Sequence, residues 1–166
     1  MTFEKYIEKN GKKYRMGYTT GSAAAAAAKA AVKMLYGEQI IKAIKILTPA
    51  DIELDLKVND QDLNNDWARA AVIKDAGDDP DVTDGLKIYA KVKKIKEEKV
   101  IIKGGEGVGK VTKPGLPMSV GEAAINPVPR KMIKNSIKEF LPERKGVKVI
   151  IEIPRGKEIA EKTFNP

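Results

Sequence analysis

Thr19-Thr20-Gly21-Ser22-Ala23-Ala24-Ala25-Ala26-Ala27-Ala28-Lys29-Ala30-Ala31-Val32-Lys33-Met34-Leu35-Tyr36-Gly37 is the stretch on which the fold turns. Hydroxyl residues stand directly before a dense apolar run, the chemistry of a helix N-cap, and a glycine follows as a stop. The pattern predicts a helix that opens at Thr19 to Ser22, runs through Tyr36 and ends at Gly37. Alanine is the best helix former, so propensity alone accounts for its abundance. Side chains this small also let the helix lie very close to a sheet or a ligand. Its N-terminus presents N–H groups and the positive end of the dipole to an anion.

Downstream of the helix the period changes to two. Ile52, Leu54, Leu56 and Val58 alternate with Glu53, Asp55 and Lys57, which predicts a half-buried strand over 52–58. With a strand over 40–47 it forms a hairpin across the Pro49 turn. Further strands are predicted over 67–73, 86–95 and 100–102, the last after a turn at Glu97-Glu98. A second helix spans 129–140, a late strand 147–153, and a short helix follows Pro154. There is no internal repeat and no low-complexity linker. The expected fold is therefore α+β, a single domain over 1–166. It has a mixed, mostly antiparallel sheet, with the alanine-rich helix and the second helix packed on one face.

Composition narrows the chemistry. The chain has 166 residues, 42% apolar and 33% charged, enough for one domain with a real core. No apolar run approaches the roughly 18 residues of a membrane span. The charged stretch 2–15 carries no apolar leader, so a cytoplasmic protein is expected. Cysteine is absent, which removes disulfides and thiolate catalysis, and histidine is absent, which removes the commonest base and metal ligand. A net charge of +8 favours an acidic partner: a nucleic acid, an anionic surface or a small polycarboxylate. Aromatics are only 5%, too few for stacking on single-stranded bases.

Lys74-Asp75-Ala76-Gly77-Asp78-Asp79-Pro80-Asp81-Val82-Thr83-Asp84-Gly85 is a shaped polar loop, too rich in breakers for a helix and too charged for a core. Its aspartates repel one another unless cations, backbone N–H groups or a polar ligand compensate them. As a calcium loop starting at Asp79 it fails, with Asp84 at the glycine position and Ala90 at the bidentate glutamate position. A looser cation site, capping of backbone N–H groups in consecutive turns, and acceptance of hydrogen bonds from a ligand stay open. Loops carry function more often than the scaffold beneath them.

Gly104-Gly105-Glu106-Gly107-Val108-Gly109-Lys110-Val111 nearly spells a phosphate-binding loop. Val111 stands where the magnesium-binding hydroxyl belongs, and Thr112-Lys113-Pro114-Gly115 cannot open the required helix, so that reading fails. What survives is a loop whose backbone can approach a ligand closely. Asn126-Pro127-Val128-Pro129-Arg130 leads into the second helix and sets Arg130 at its start, against the dipole. An anionic partner or an ordinary salt bridge would satisfy it.

Together these motifs resemble one family. Arg15-Met16-Gly17-Tyr18-Thr19-Thr20-Gly21 with its alanine helix, the loops 74–83 and 104–112, and Ala124-Ile125-Asn126-Pro127-Val128-Pro129-Arg130 occur in order. Ile153-Pro154-Arg155-Gly156-Lys157-Glu158-Ile159-Ala160 and Thr163-Phe164-Asn165-Pro166 follow. This pattern, covering the chain from about Arg15, resembles the CbiD-type cobalt-precorrin-5B methyltransferases of anaerobic cobalamin (vitamin B12) biosynthesis. The resemblance implies a cytosolic enzyme that moves a methyl group from S-adenosylmethionine to ring carbon 1, giving cobalt-precorrin-6A. Cobalt arrives with the substrate, so no protein metal site is implied. The anionic corrinoid suits a basic protein, and its electron-rich ring carbon is itself the nucleophile.

On that reading Thr19, Thr20, Gly21, Ser22, Lys74, Asn126 and Arg130 contact the substrate. Asp75, Gly77, Asp78, Asp79, Asp81, Gly104, Gly105, Glu106, Gly107 and Gly109 shape its pocket. Asp75 or Asp78 is the candidate proton acceptor. Family members often carry Cys where Ala23 stands and His where Asp84 stands, so neither side chain is expected to be essential. The family pattern continues past Pro166 into a second half, so a C-terminal half or second subunit is expected as partner, with no membrane and no nucleic acid. The competing readings are a non-catalytic basic module binding structured RNA or another polyanion through its phosphates, and a phosphate-ligand enzyme built on the Gly104 loop.

Overall fold

The helix α1 (Thr20–Gly37) begins where the sequence places it. Thr19 is extended, and its hydroxyl oxygen accepts a bond from the Ser22 N–H at 3.0 Å. The stop differs by one residue. Gly37 remains helical, and Glu38 takes the left-handed conformation (φ 53°) with its N–H donating to the Met34 carbonyl. A side chain in that conformation costs roughly 1–2 kcal/mol, so the glycine stands one position too early to cap its own helix. The computed structural model describes residues 6–78, 83–109 and 125–156.

The chain order is β1 (Tyr6–Lys9), β2 (Lys12–Arg15), α1, β3 (Ala43–Leu47), β4 (Glu53–Lys57), β5 (Asn59–Leu63), β6 (Trp67–Ile73), β7 (Lys87–Ile95), β8 (Val100–Gly104), α2 (Pro127–Ile137) and β9 (Gly146–Glu152). Five strands make the main sheet in the order β5-β6-β7-β9-β8. Every pairing in it is antiparallel except β8 with β9, so the sheet is mixed and mostly antiparallel as expected.

One face of this sheet is apolar. Ala68, Ala70 and Val72 of β6, Ile88, Ala90 and Val92 of β7, and Val147, Val149 and Ile151 of β9 are all buried. Helix α1 lies on β6 and β7 and buries its alanines there. Ala70 stands directly opposite Ala90, so alanine meets alanine and the helix axis comes close to the sheet. Helix α2 packs on α1 and sends Ile133 and Ile137 fully into the core. Side chains of that size contribute roughly 1.5–3 kcal/mol each on burial. The β3–β4 hairpin adds Ile44, Ile46, Leu54 and Leu56 to the same cluster.

Two elements escape the sequence reading. The stretch read only as charged folds into the hairpin β1–β2, with Asn10 (φ 53°) and Gly11 (φ 76°) forming its turn. Positive φ at both central residues is the type I′ geometry that matches strand twist, and Asn-Gly is its preferred sequence. Strand β5, Asn-Asp-Gln-Asp-Leu, has too little apolar content to announce itself; it pairs with β6 across an irregularity between Asn59 and Asp62. The second helix is also displaced from its expected bounds. It starts at Pro127, where a missing N–H costs nothing, and leaves helical form before residues 138–140, which close in a turn with Phe140 N–H on the Ile137 carbonyl. The short helix expected after Pro154 falls largely outside the described residues.

Candidate active-site cleft

Strand direction decides where the loops meet. Ile73 at the end of β6 pairs with Lys87 at the start of β7, Tyr89 pairs with Glu152 at the end of β9, and Gly104 at the end of β8 pairs with Ile151. The aspartate loop, the glycine loop and the segment after Glu152 therefore leave the sheet at one end. Helix α1 starts there as well, since the Tyr18 N–H donates to the Asp75 carbonyl at 2.9 Å. A β-carbon on Gly21 would touch the Pro129 ring at 3.0 Å, which brings the start of α2 to the same end.

A cleft of about 670 Å³ opens between this end and the β1–β2 hairpin. Ile7, Lys9, Asn10 and Tyr14 line one wall; Arg15, Met16, Gly17, Tyr18 and Thr19 form the base; and Lys74, Ala76 and Asp78 line the other. Of the residues expected in the site, the cleft gathers Thr19, Lys74 and Asp78. Lys74 is buried, and its ammonium donates to the Thr83 hydroxyl. A long cationic side chain held in the wall of a cleft suits a carboxylate-bearing ligand.

Among the described residues, the loop aspartates Asp75, Asp78 and Asp84 are engaged in holding it. Asp75 receives two bonds from the Arg15 guanidinium, at 2.6 and 2.8 Å, and a third from the Gly77 N–H at 2.8 Å. The guanidinium, with the Gly77 N–H adding to it, holds the Asp75 carboxyl below the usual carboxylate range. Asp78 accepts from the Arg15 backbone N–H at 2.6 Å, and Asp84 accepts from the Ala76 N–H at 2.8 Å. Of the three roles left open for these residues, capping of backbone N–H groups is thus realised at Asp75, Asp78 and Asp84. Asp79 and Asp81 lie outside the described residues, and among the described residues no group of His, Cys, Asp or Glu is arranged to hold a metal ion.

Glycines make the clasp possible. Segment 15–17 runs so tightly against 75–77 that a β-carbon on Gly17 would lie 2.3 Å from the Asp75 carbonyl oxygen. One on Gly77 (φ 70°) would lie 2.3 Å from the Arg15 carbonyl oxygen. Only glycine fits at either position. Tyr18 completes the junction by donating its hydroxyl to the Ile73 carbonyl. Burial, with the nearby Asp75 carboxylate adding to it, pushes its phenol up to about 12.

The glycine loop does something else with its freedom. A β-carbon on Gly107 (φ 75°) would collide with the Ile153 carbonyl oxygen, and one on Gly156 would meet the Gly107 carbonyl oxygen at 2.3 Å. Ile153 N–H donates to the Glu106 carbonyl at 2.8 Å, and Gly105 abuts Glu152. Gly104, Gly105, Glu106, Gly107 and Gly109 thus reach the right end of the sheet without lining the cleft. Gly21 serves the α1–α2 junction against Pro129, and Ser22 is buried beside the Thr19 cap. Asn126 caps α2 without a side-chain bond, and Arg130 folds its Nε–H back onto the Ile125 carbonyl at 2.8 Å. A second cleft, of about 650 Å³ between α2 and the β3–β4 turn, holds none of the expected residues.

The convergence of these motifs on one end of a mixed sheet has a counterpart among known proteins. The family model described as CbiD matches residues 7–166. The chain belongs to the CbiD family. A relative in Clostridium perfringens (strain SM101 / Type A), named cobalt-precorrin-5B C(1)-methyltransferase, is 53% identical over 164 residues, covering 99% of this chain and 45% of the relative. A protein of the same name in Thermoanaerobacter sp. (strain X514) is 53% identical over 163 residues, covering 98% of this chain and 44% of its own length. The chain spans about half the length of the curated relatives it matches. The crystal structure of a cobalamin biosynthesis protein (cbiD) from Archaeoglobus fulgidus superposes with a TM-score of 0.65 at 27% identity, over 96% of this chain and 50% of that one.

Within this CbiD framework, sequence reading missed the hairpin wall and the Arg15 anchor. The family motif already begins at Arg15, and Asn10-Gly11 between Tyr6-Ile7-Glu8-Lys9 and Lys12-Lys13-Tyr14-Arg15 is the signal that could have found the strands.

Proposed function

We propose that this chain supplies the corrinoid-holding part of an enzyme that methylates ring carbon 1 of cobalt-precorrin-5B, giving cobalt-precorrin-6A, in the cytoplasm. The observation that carries this reading is the 53% identity over 164 residues to a protein named for that activity. The methyl donor is S-adenosylmethionine, whose sulfonium supplies an electrophilic methyl group. At Gly107 the glycine loop is packed against the chain's own backbone at Ile153 and Gly156, which leaves no room there for such a donor. We assign the donor to the remaining half of the enzyme, whether C-terminal or a second subunit.

The chain's own residues then bind and orient the acceptor. Lys74, and the α1 N-terminus at Thr19 with its neighbours Thr20 to Ser22, face the peripheral carboxylates of the corrinoid, with Asn126 and Arg130 further round the same end of the sheet. The ring carbon brings its own electron pair, so a protein lacking Cys and His suffers no handicap. Asp75 is committed to Arg15, which leaves Asp78, in the wall of the cleft, as the acceptor for any proton the ring releases. The residues of 104–109 brace the segment after β9.

The test is a mass-spectrometric assay with cobalt-precorrin-5B and S-adenosylmethionine, run on this chain and on a version fused to the second half of a full-length relative. One added methyl group with the fused protein alone supports the division of labour. Methylation by the 166-residue chain alone moves the donor site into it, and failure of both overturns the reading.

A further inference from the structure

We infer that the β1–β2 hairpin is a binding arm whose inner face recognises a flat apolar macrocycle fringed with carboxylates; the inference rests on the corrinoid reading above and adds the residues that select the ligand. Directly opposed residues of an antiparallel pair share a face, and so do residues two apart along a strand. Ile7 pairs with Tyr14 and Lys9 with Lys12, so these four make one face; Tyr6, Glu8, Lys13 and Arg15 make the other. Ile7, Lys9 and Tyr14 of the first face line the 670 Å³ cleft. That face is graded. The apolar pair sits near the body of the protein, and the lysine pair sits beside the Asn10-Gly11 turn.

Ile7 lines the cleft and is 47% exposed. One exposed isoleucine is ordinary. An exposed isoleucine beside a tyrosine, backed by two lysines and facing a buried Lys74 across a cleft, matches a ring with an apolar face and an anionic rim. The hairpin is also held where such a ring must enter. Arg15 ends β2 and is fixed to Asp75 and Asp78, and Met16 forms a bridge with Gly77. Apolar contact then comes from the base of the arm, and charge attraction from its tip.

Equilibrium dialysis on the 166-residue chain tests this with two cobalt corrinoids as probes, cobyrinic acid with its free carboxylates and its neutral heptamethyl ester. Lys9→Ala and Lys12→Ala are each expected to weaken cobyrinic acid about tenfold at low salt and to leave the ester unchanged. Tyr14→Ala is expected to weaken both probes. Lys13→Ala removes the same charge from the opposite face and is expected to change neither. Equal losses for Lys9, Lys12 and Lys13 variants would mean unspecific attraction and overturn the arm. Full binding by all hairpin variants, with loss in Lys74→Met, would overturn the arm while leaving the corrinoid reading standing. No binding of either probe by the unsubstituted chain would overturn both.

Discussion

Arg15 and Asp75, sixty positions apart, meet in a two-pronged ion pair with N···O distances of 2.6 and 2.8 Å. Through it the last residue of an otherwise projecting hairpin is tied to the loop that leaves the central strand β6. A planar guanidinium and a carboxylate fix direction as well as distance, so the pair sets the angle of the cleft wall. Both side chains are about a quarter exposed, at 24% and 27%, which moderates its strength.

Asp75→Asn is therefore expected to lower stability by about 1 kcal/mol and to expose the hairpin to trypsin at its lysines. The depressed folded pKa of Asp75 gives the sign with pH. Its contribution is complete above the unfolded carboxylate value of about 3.9 and fades as pH falls through the lower folded value. Urea midpoints of the two proteins should differ at pH 7 and converge below about pH 4. A constant difference across that range would refute the assignment.

Gly77 and Gly85 share positive φ, 70° and 78°, but differ in space. A β-carbon at Gly85 meets nothing within 4 Å, whereas at Gly77 it meets backbone at 2.3 Å. Gly85→Ala should cost about 1 kcal/mol from conformation alone. Gly77→Ala should cost at least about 3 kcal/mol, because backbone on both sides must part. Thermal unfolding of the pair decides it, and similar melting temperatures would show that the two segments are not interlocked.

The Tyr18 phenol should titrate well above the ordinary tyrosine value, near about 12. A raised phenol pKa stabilises the fold fully below the unfolded value of about 10 and loses that contribution as pH rises through the folded one. Absorbance titration of Tyr18→Phe should lack a phenolate step near pH 12, and the variant should lose less stability than the parent between pH 10 and 12. Loss of an early step instead would place Tyr18 in open solvent.

Ala70 has no room to grow. It is fully buried, opposite Ala90 and under the alanines of α1. Ala70→Leu should destabilise by roughly 1–3 kcal/mol through overpacking, despite adding apolar surface. Neutral or improved stability in urea denaturation would mean that α1 stands further from the sheet.

Sequence alone carried the scaffold well where side-chain period was clear. The alternation of Ile52, Leu54, Leu56 and Val58 gave β4, and the hydroxyl cluster Thr19 to Ser22 bracketed the start of α1 at Thr20. Strand β5 was illegible because Asn59 to Asp62 are all polar, carry little burial and pair with β6 across an irregularity. The hairpin was legible but masked by its charge, as lysines on an exposed ribbon look like a solvated tail. Of the residues expected in the site, Thr19, Lys74 and Asp78 line the cleft, whereas the bond between Arg15 and Asp75 depends on a closure across sixty residues that no local pattern encodes.

Strand β9 lies between β7 and β8, although it follows both in the chain. In the finished sheet β7 and β8 are therefore not neighbours, although they leave the ribosome one after the other, and β9 must be inserted between them. Until residues 146–152 emerge, β7 and β8 each present the open backbone edge that β9 later fills. Nascent chains halted before that point should be the ones that clump or call on chaperones, so the tempo of translation through α2 bears on how much soluble protein a cell obtains.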